Sequence, residues 1–372
     1  MRITLIGNYA PDRQQSMLRY ARLLHDGLAA AGHDVRFVVP RQRLPGAGPG
    51  GAGKWLGYVD KYILSLPEIG AAVAGADVVH VCDHSNAVYI PGRSSIPYTA
   101  TCHDLIAVRA ALGEIRDWPV RATGRLLQRA VRQGLGRARA IACVSEATRA
   151  DVVRLLPGFA GAVEMVPNAL NFDYRPLDAM ERATTRSLLP AHARNLPPYL
   201  LLVGSADRRK NRATAIRAVA ALRGRWDGVL VFAGESLTPA QRQLAIDCGV
   251  PDRVIEIATP DNVQLRLLYN EASALLFPSR HEGFGWPLLE AQACGCPVIC
   301  SDVAPMPQVT GGAALFCDPE DPAAFAGLVL ALERDADLRS SLIERGLENA
   351  RNHSRAAMID GLQGLFERVV RN

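Results

Sequence analysis

Two acidic residues in a glycine-bearing segment are the strongest candidates for chemistry in the sequence. Glu282 follows an apolar run typical of a buried strand, and Glu290 falls in the first turn of a helix that Pro287 is expected to begin. Gly283 and Gly285 would let backbone N–H groups approach a ligand closely. Because carboxylates accept hydrogen bonds from sugar hydroxyls, the segment favours a polyhydroxylated ligand. The alternative is a glycine-rich turn in which Glu290 only stabilises the helix N-terminus.

A basic segment provides the second candidate. Arg209 and Lys210 lie between an apolar strand at 199–203 and a helix expected to start near Asn211. Cations just before a helix N-terminus suit a phosphate or diphosphate, although a solvated basic loop has the same composition. The chain has no G-x-x-x-x-G-K-[ST] loop, and no G-x-G-x-x-G follows the first strand of either half. Hydrolysis by a P-loop enzyme and nicotinamide-dependent hydride transfer are therefore disfavoured.

Histidines near strand ends form a third group. His103 and Asp104 come directly after one apolar strand, and Asp83 and His84 come after another. Neighbouring side chains on an extended chain point in opposite directions, so the His103–Asp104 pair is compatible with a structural as well as a catalytic role. His80 lies inside the earlier strand and is expected to be a core histidine.

The elements that must position these residues alternate along the whole chain. Continuous apolar strands separated by helical patterns are typical of parallel sheets covered on both faces. We therefore predict an α/β protein with two doubly wound Rossmann-like domains facing a central cleft, with ligands at the carboxyl ends of the strands. The expected parts are an N-terminal domain at 1–172, an interdomain linker at 173–198, a C-terminal domain at 199–353 and, at 354–372, a helix that returns to the N-terminal domain.

Hydrophobic periodicity gives the individual elements. The first helix is predicted at 15–31, and residues 41–54, rich in Gly and Pro, are expected to form a mobile loop. Strands are predicted at 2–7, 35–39, 78–82, 98–102, 140–144, 165–166, 199–203, 228–233, 254–257, 274–277, 297–300 and 314–316.

Composition narrows the class of protein. A chain of 372 residues with 49% hydrophobic residues favours two packed domains and excludes intrinsic disorder. The formal net charge of +5 suits phosphate-bearing ligands without demanding nucleic acid. No apolar run is long enough for a membrane span, and residues 1–7 are expected to form a strand, not a signal peptide. We therefore expect a cytoplasmic protein with reduced cysteines.

Two patterns could suggest a metal site, and both have a simpler interpretation. Cys294, Cys296 and Cys300 lack a second ligand pair at zinc-site spacing. Asp335-Ala336-Asp337 lies in a helix-forming stretch and is expected to be solvated surface. We predict neither a metal nor a cofactor.

The segment from Glu282 to Ile299 carries a specific resemblance. It reads E-G-F-G-W-P-L-L-E-A-Q-A-C-G-C-P-V-I, nearly complete against the E-G-F-G-x-P-x-L-E-A-x-A-C-G-x-P-V-I pattern of GT-B glycosyltransferases of family 4, also called group 1. The chain resembles that family over nearly its whole length. Further matching segments are the Pro11 loop with Gly32-His33, His103-Asp104, Val144-Ser145-Glu146, Val166-Pro167-Asn168, Arg209-Lys210-Asn211 and Asp318-Pro319.

The resemblance implies a nucleotide-diphosphate sugar donor held mainly by the C-terminal domain. Glu282 would bind hydroxyls of the transferred sugar, Glu290 would hold the nucleotide ribose, and Arg209 with Lys210 would neutralise the leaving diphosphate. The resemblance further assigns Gly204, Ser205, Gly283, Phe284 and Gly285 to donor binding.

The N-terminal domain would bind the acceptor, a saccharide or a lipid-linked sugar. By resemblance His103 contacts the donor sugar or the reacting centre. The residues expected on the acceptor side are Arg13, Asp83, His84 and Asp104. Transfer would retain the anomeric configuration without a metal, by front-face attack in which the leaving phosphate helps to deprotonate the acceptor hydroxyl.

Departures from the family's pattern bear on donor and acceptor identity and leave the fold unaffected. Many relatives carry a Gly-Gly pair in the first loop, where residues 12–16 read Asp-Arg-Gln-Gln-Ser. Residues 168–171 read Asn-Ala-Leu-Asn instead of Asn-Gly-Val-Asp, Ser205 replaces a frequent Thr or Arg, and Arg208 replaces a frequent Pro. The R-K-N and His-Asp pattern resembles mannosyl- and rhamnosyl-transferring relatives, which implies GDP-mannose first and UDP-hexoses second.

An arginine-rich stretch could contact a membrane. Arg121, Arg125, Arg129 and Arg132 follow a spacing that places them along one face of a predicted helix. A basic amphipathic helix can lie on an anionic membrane, where lipid-linked acceptors are found. The alternative is a solvated or salt-bridged face.

Three functions follow from these patterns. The first is a retaining hexosyltransferase in cell-surface glycan synthesis. The second is a GT-B sugar-nucleotide epimerase, which would change the sugar without an acceptor. The third is a non-catalytic nucleotide-sugar-binding subunit, which would bind donor without turnover.

Overall fold

The computed structural model describes residues 1–48, 50–116 and 118–371. Within it the chain divides into two compact units. The first comprises Met1–Asn171 with Arg355–Asn372, and the second comprises Phe172–Ser354. Residues 173–198 thus pack as part of the second unit, where they contribute a short helix.

The first unit is built on a six-stranded sheet in which each strand pairs in parallel with its neighbours. The strand order is β2-β1-β3-β4-β5-β6. The strands are β1 (Arg2–Ile6), β2 (Asp34–Val38), β3 (Val78–Val81), β4 (Tyr98–Cys102), β5 (Ala140–Cys143) and β6 (Ala162–Met165). The helices in this part of the chain are α1 (Gln15–Ala30), α2 (Gly51–Val59), α3 (Leu66–Val73), α4 (Ile106–Ala111), α5 (Ala122–Leu135) and α6 (Glu146–Leu155).

The second unit repeats this architecture, again with six parallel strands, in the order β12-β11-β10-β7-β8-β9. The strands are β7 (Tyr199–Gly204), β8 (Val229–Gly234), β9 (Val254–Ala258), β10 (Ala274–Phe277), β11 (Val298–Ser301) and β12 (Leu315–Cys317). Its helices are α7 (Ala179–Arg186), α8 (Arg212–Ala221), α9 (Pro239–Asp247), α10 (Asn262–Glu271), α11 (Trp286–Ala293), α12 (Met306–Val309), α13 (Pro322–Arg334) and α14 (Ala336–Asn352). The predicted α/β class with two parallel sheets is confirmed.

The central strands of both sheets are buried on both faces. In β3, β4 and β5 every residue is buried, and the same holds for β10 and β11 in the second unit. Such strands pack between helices on both sides. The continuous apolar runs in the sequence therefore predicted the central strands correctly.

The last helix, α15 (Arg355–Arg371), packs in the first unit against α1. Gly27 makes the close approach possible, since a β-carbon at that position would lie 2.5 Å from Ile359 Cδ1. The Phe366 ring lies 5.2 Å from the His80 ring, between centroids, and Gln363 hydrogen-bonds His33 at 2.7 Å. The end of the chain thus completes the core of the unit in which the chain begins.

One predicted loop contains a helix. Residues 41–54 were expected to be mobile, but α2 begins at Gly51. Gly53 O accepts a hydrogen bond from Gly48 N at 3.1 Å, and a β-carbon on Gly53 would lie 2.6 Å from Gly46 O. Glycines that disfavour a helix in isolation are therefore used here for close backbone packing. One predicted strand is displaced along the chain. The sequence predicts a strand at 165–166, whereas β6 spans Ala162–Met165.

Within the described residues, no helix combines the length and the apolar character that crossing a bilayer requires.

Candidate active site

The first candidate segment begins where β10 ends. Residues 278–285 form a loop that leads into α11, and Gly285 occupies the N-cap with a φ of 95°, a left-handed conformation that favours glycine. Trp286 is the first helical residue and Pro287 the second. The loop holds the Glu282 side chain 7% exposed. The carboxylate is therefore at the carboxyl end of a parallel strand, as predicted.

Glu282 bridges the two predicted phosphate-binding cations. Its Oε1 accepts a hydrogen bond from Lys210 Nζ at 2.7 Å, and its Oε2 accepts one from Arg209 at 2.6 Å. Arg209 and Lys210 lie on a 3₁₀ turn after β7, which is the neighbour of β10 in the sheet. Because these strands are adjacent, residues far apart in the sequence form one cluster.

The cluster is ionic at neutral pH. Burial by itself would raise the pKa of Glu282, but the positive charges of Lys210 and Arg209 outweigh it and lower the pKa to about 2. Burial lowers the pKa of Lys210, and Glu282 opposes that effect. Asp207 Oδ2 lies 3.5 Å from Arg209 Nε, so two carboxylates face the two cations and the formal charges balance. An anion that takes over these carboxylate contacts finds both cations already in place.

Backbone hydrogen bonds join the two loops that carry this cluster. Arg280 N donates to Arg209 O at 2.8 Å, and the Arg280 side chain forms an ion pair with Glu320. Asn211 Nδ2 donates to Pro319 O at 2.6 Å. The cations are thus held on a supported turn, and Asn211 adopts a left-handed φ of 49° directly before α8.

Arg212 is a residue of this region that the sequence analysis missed. It is 1% exposed and donates hydrogen bonds to Gly204 O and Glu235 O, each at 2.7 Å. These carbonyls end β7 and follow β8, so one guanidinium joins the two loops. An arginine within the apolar pattern of α8 was the available signal, because buried arginines are uncommon and need partners.

Glu290 differs from its predicted position. It lies in the second turn of α11, not the first, and it is 4% exposed. Its Oε2 accepts a hydrogen bond from the Tyr269 hydroxyl at 2.8 Å, and Tyr269 is fully buried. The sequence pattern could not show this partner, because Tyr269 belongs to α10.

The other predicted donor-binding residues surround this cluster to different degrees. Gly204 and Ser205 are half-buried at the end of β7, and a β-carbon on Gly204 would lie 3.3 Å from Lys210 Cε. Gly283 is buried beside Glu282. The Phe284 ring is buried and packs edge-on against Trp286 and His353.

A second cluster lies in the first unit, after β3 and β4. His103 is buried, and its Nε2 lies 3.0 Å from Cys82 O, so Nε2 carries the ring hydrogen. Burial lowers the pKa of His103, which favours the neutral ring. His80 is fully buried and hydrogen-bonds Thr99 and Thr101, which confirms that it is a core histidine.

Asp83 and His84 form a buried ion pair in the same cluster. Asp83 Oδ1 lies 3.1 Å from His84 Nδ1, and Asp83 Oδ2 accepts a hydrogen bond from Asn8 at 2.5 Å. Burial opposes both charges, but each partner overcomes it, lowering the pKa of Asp83 and raising that of His84. Asp104 is engaged locally, since it accepts a hydrogen bond from Ile106 N at 3.0 Å.

Two predictions concern residues outside these clusters. Arg13 is exposed on the loop after β1. Asp335 and Asp337 are exposed, as predicted, and Asp335 caps α14 by accepting from Leu338 N at 2.8 Å. In the part of the chain that the structure describes, no three His, Cys, Asp or Glu side chains are grouped as a metal site requires.

Two family models match consecutive parts of the chain. The model for "Glycosyltransferase Family 4" matches residues 17–174, and that for "Glycosyl transferases group 1" matches residues 190–349. The chain belongs to the group 1, or family 4, GT-B glycosyltransferases. Members of this family are retaining, metal-independent hexosyltransferases, and this glycosyltransferase is an enzyme of that class.

Curated relatives of this glycosyltransferase include a mannosyltransferase and an inositol phosphate glycosyltransferase. O-antigen chain mannosyltransferase B of Escherichia coli is 28% identical over 277 residues, which span 73% of this chain and 70% of the relative. D-inositol 3-phosphate glycosyltransferase of Corynebacterium efficiens is 30% identical over 286 residues, spanning 73% of this chain and 65% of the relative.

Solved structures show the same fold. Sucrose-phosphate synthase from Thermosynechococcus elongatus matches with a TM-score of 0.80 at 22% identity, covering 100% of this chain and 99% of that one. HepE from Anabaena, in complex with UDP and glucose, matches with a TM-score of 0.77 at 12% identity, covering 99% and 100%. The predicted GT-B fold is confirmed.

Proposed function

We propose that this glycosyltransferase moves a hexose from a nucleotide-diphosphate sugar to a saccharide or lipid-linked acceptor in cell-surface glycan synthesis. The observation that carries the proposal is the contact of Glu282 with both Arg209 and Lys210. A carboxylate that accepts from sugar hydroxyls and two cations that bind phosphate are the groups that a sugar diphosphate needs side by side.

Arg209 and Lys210 are the groups of the cluster that would bind the donor's diphosphate. An incoming diphosphate would draw both cations toward its oxygens, and the positive dipole end at the start of α8 would favour its negative charge. Glu282 would then exchange its bonds to the cations for bonds to sugar hydroxyls, since a carboxylate can accept about four hydrogen bonds. Glu290, held by Tyr269, would bind the ribose.

The same cations would act in the transition state. As the bond between the anomeric carbon and the diphosphate oxygen breaks, negative charge grows on the leaving group, and positioned cations stabilise it. The acceptor oxygen forms the new bond on the same face, and its proton passes to a phosphate oxygen of the leaving group. This course retains the anomeric configuration.

The first unit would supply the acceptor side and His103. Neutral His103, with its hydrogen on Nε2, would contact the donor sugar or the reacting centre. Asp83, His84, Asp104 and Arg13 would line the acceptor site. Asp83 raises the pKa of His84, which favours the charged form of the ring beside the carboxylate.

The relatives guide the choice of donor that we propose. The Escherichia coli relative is a mannosyltransferase, and the R-K-N and His-Asp pattern also favours GDP-mannose. HepE, which shares the fold, binds UDP and glucose, so a UDP-hexose is the second candidate.

A peripheral contact with the cytoplasmic face of the membrane is part of the proposal. The arginines of α5 and the residues next to it form no ion pair with any described residue, and Leu126 on the same helix is 68% exposed. Arg125 donates a hydrogen bond to Val120 O at 3.3 Å, so its charge is bonded to a backbone carbonyl and not to a carboxylate. Cations without carboxylate partners among the described residues, beside an exposed apolar side chain, suit an anionic lipid surface.

The experiment is a ligand screen followed by product analysis. UDP, GDP, dTDP and ADP are tested for their ability to raise the melting temperature, because a ligand that binds only the folded state stabilises it. The matching nucleotide sugar is then incubated with and without extracts of lipid-linked saccharides. We expect a product with retained anomeric configuration that requires acceptor and is unaffected by EDTA. Conversion of the donor sugar without acceptor would indicate an epimerase, and saturable binding without any product would indicate a non-catalytic subunit.

A further inference from the structure

A pocket of about 530 Å³ opens in the first unit, at the carboxyl ends of β1 and β2. One wall comes from the loop after β1, including Pro11 and Arg13, and the other from residues 39–48. Of the described residues that line it, Arg13 and Arg41 carry charge and none is acidic. The pocket therefore presents positive charge to whatever enters it.

Arg13 holds an unusual conformation on the first wall. Its backbone has a φ of 57° and a ψ of 26°, a left-handed conformation that non-glycine residues seldom adopt. Its exposed side chain makes no hydrogen bond or ion pair with any residue in the described ranges. Arg41 differs, because it forms an ion pair with Glu68 at 3.0 Å. Arg13 is thus the lining cation whose charge the protein leaves uncompensated.

Two consecutive residues of the π-turn Asp60–Leu64 hold both walls in place. Fully buried Asp60 accepts hydrogen bonds from the Tyr9 hydroxyl at 2.5 Å and from Leu44 N at 3.2 Å, and so ties the two loops together. Lys61 forms an ion pair with Asp12 at 2.7 Å. The pocket is therefore shaped by a buried polar network before any ligand binds, and π-turns of this kind are frequent at functional sites.

We propose that this pocket binds an anionic group of the acceptor, a phosphate or a carboxylate, and that Arg13 determines this specificity. The proposal rests on the proposed function, because it treats the pocket as part of the acceptor site. The planar guanidinium can donate two parallel hydrogen bonds to a phosphate or carboxylate. The neighbouring carboxylates do not compete, because Asp12 is paired with Lys61 and Glu68 with Arg41. A neutral sugar would gain little from an uncompensated cation.

The test compares charged and neutral sugars on matched variants. Glucose 6-phosphate, mannose 1-phosphate and glucuronate are titrated by calorimetry against glucose and mannose. The variants are Arg13→Asn, which removes the charge and tolerates the left-handed backbone, and Arg22→Gln, an exposed control on α1 outside the pocket. We expect at least one anionic sugar to bind wild type about tenfold more tightly than its neutral counterpart. Arg13→Asn abolishes that preference and Arg22→Gln keeps it.

Binding to vesicles distinguishes a lipid-borne phosphate from an anionic group on a soluble acceptor. Phosphatidylcholine vesicles with and without phosphatidate are offered to the same variants. Binding that needs both phosphatidate and Arg13 assigns a lipid-borne phosphate, and a preference confined to the soluble sugars assigns a soluble acceptor. The proposal is overturned if neither probe set shows a preference for the anion, or if Arg13→Asn keeps that preference.

A donor titration distinguishes failure of this acceptor proposal from failure of the proposed transferase function. GDP and UDP are titrated on all three proteins in parallel. Donor binding without any preference for anionic sugars would refute only the assignment of an anionic acceptor. Absence of donor binding would refute the transferase proposal itself.

Discussion

Tyr269 fixes the orientation of Glu290 from inside the second unit, with its hydroxyl oxygen 2.8 Å from Glu290 Oε2. Burial and the neighbouring carboxylate raise the pKa of Tyr269, so the phenol keeps its hydrogen and donates it. A residue expected to bind the nucleotide ribose is thus oriented by a buried tyrosine.

Tyr269→Phe removes that hydrogen bond to Glu290 Oε2. We expect a loss of about 1 kcal/mol in the free energy of unfolding, because a buried hydrogen bond is lost. We also expect several-fold weaker donor binding with little change in kcat. Urea unfolding and donor titration measure the two effects. Tyr199→Phe is the control, since Tyr199 is buried and donates to Leu268 O at 2.7 Å. Equal loss of donor affinity in both variants would contradict the role of Glu290.

Removal of either cation at Glu282 should affect turnover more than binding. Arg209→Gln and Lys210→Met each remove positive charge from the leaving diphosphate, so kcat should fall about a hundredfold. Donor dissociation constants should change less than kcat. Steady-state kinetics and equilibrium titration measure the difference, with exposed Arg217→Gln on α8 as control. Unchanged turnover with weaker donor binding would refute the catalytic role.

Lowering the pH should decrease the free energy of unfolding, because Glu282 becomes protonated. Its pKa is about 2 in the folded protein against an ordinary value of 4.5, so its contribution to stability is complete above pH 4.5 and is lost as the pH falls toward 2. The contribution is about 3 kcal/mol. In urea unfolding, the stability difference between wild type and Glu282→Gln should therefore shrink across this interval. Glu348→Gln, at an exposed site on α14, is the control. A pH-independent difference for Glu282→Gln would be inconsistent with its ionic state.

A methyl group at Gly134 should separate α5 from the turn that carries His84. A β-carbon there would lie 2.1 Å from Ala87 O, a backbone atom that cannot rotate away. We expect Gly134→Ala to cost more than about 2 kcal/mol in stability. Gly327→Ala, inside α13 with no atom within 4 Å of the added carbon, should gain up to about 1 kcal/mol. Thermal unfolding distinguishes the two, and similar effects would argue against this packing.

Vesicle binding should depend on the arginines of α5. Arg125→Gln combined with Arg129→Gln should weaken binding to anionic vesicles about thirtyfold in a flotation assay, because each of the two cations contributes about 1 kcal/mol near such a surface. High salt should have the same effect on wild type. The control pair is Arg334→Gln with Arg351→Gln, both exposed in the second unit. Absence of wild-type binding at low salt would remove the membrane contact from the proposed function.

Local patterns predicted the architecture well. Continuous apolar runs located the central strands of both sheets, and the Glu282–Ile299 segment indicated the family. The errors lie where packing outweighs local preference. Gly53 should weaken a helix, yet it lies within α2 because its missing side chain admits the backbone of Gly46. Local patterns did not single out Arg212, which is buried and donates to the carbonyls of Gly204, Glu235 and Ser236.

The sequence by itself determined the residue types of the site and the strand ends on which they lie. Tertiary structure decided their partners. Glu282 contacts Arg209 and Lys210 because β7 and β10 are neighbours in the sheet, an order that strand periodicity does not encode. Glu290 contacts Tyr269 because two helices pack together. Periodicity reports which face of an element is buried, whereas contacts between distant residues depend on strand order and helix packing.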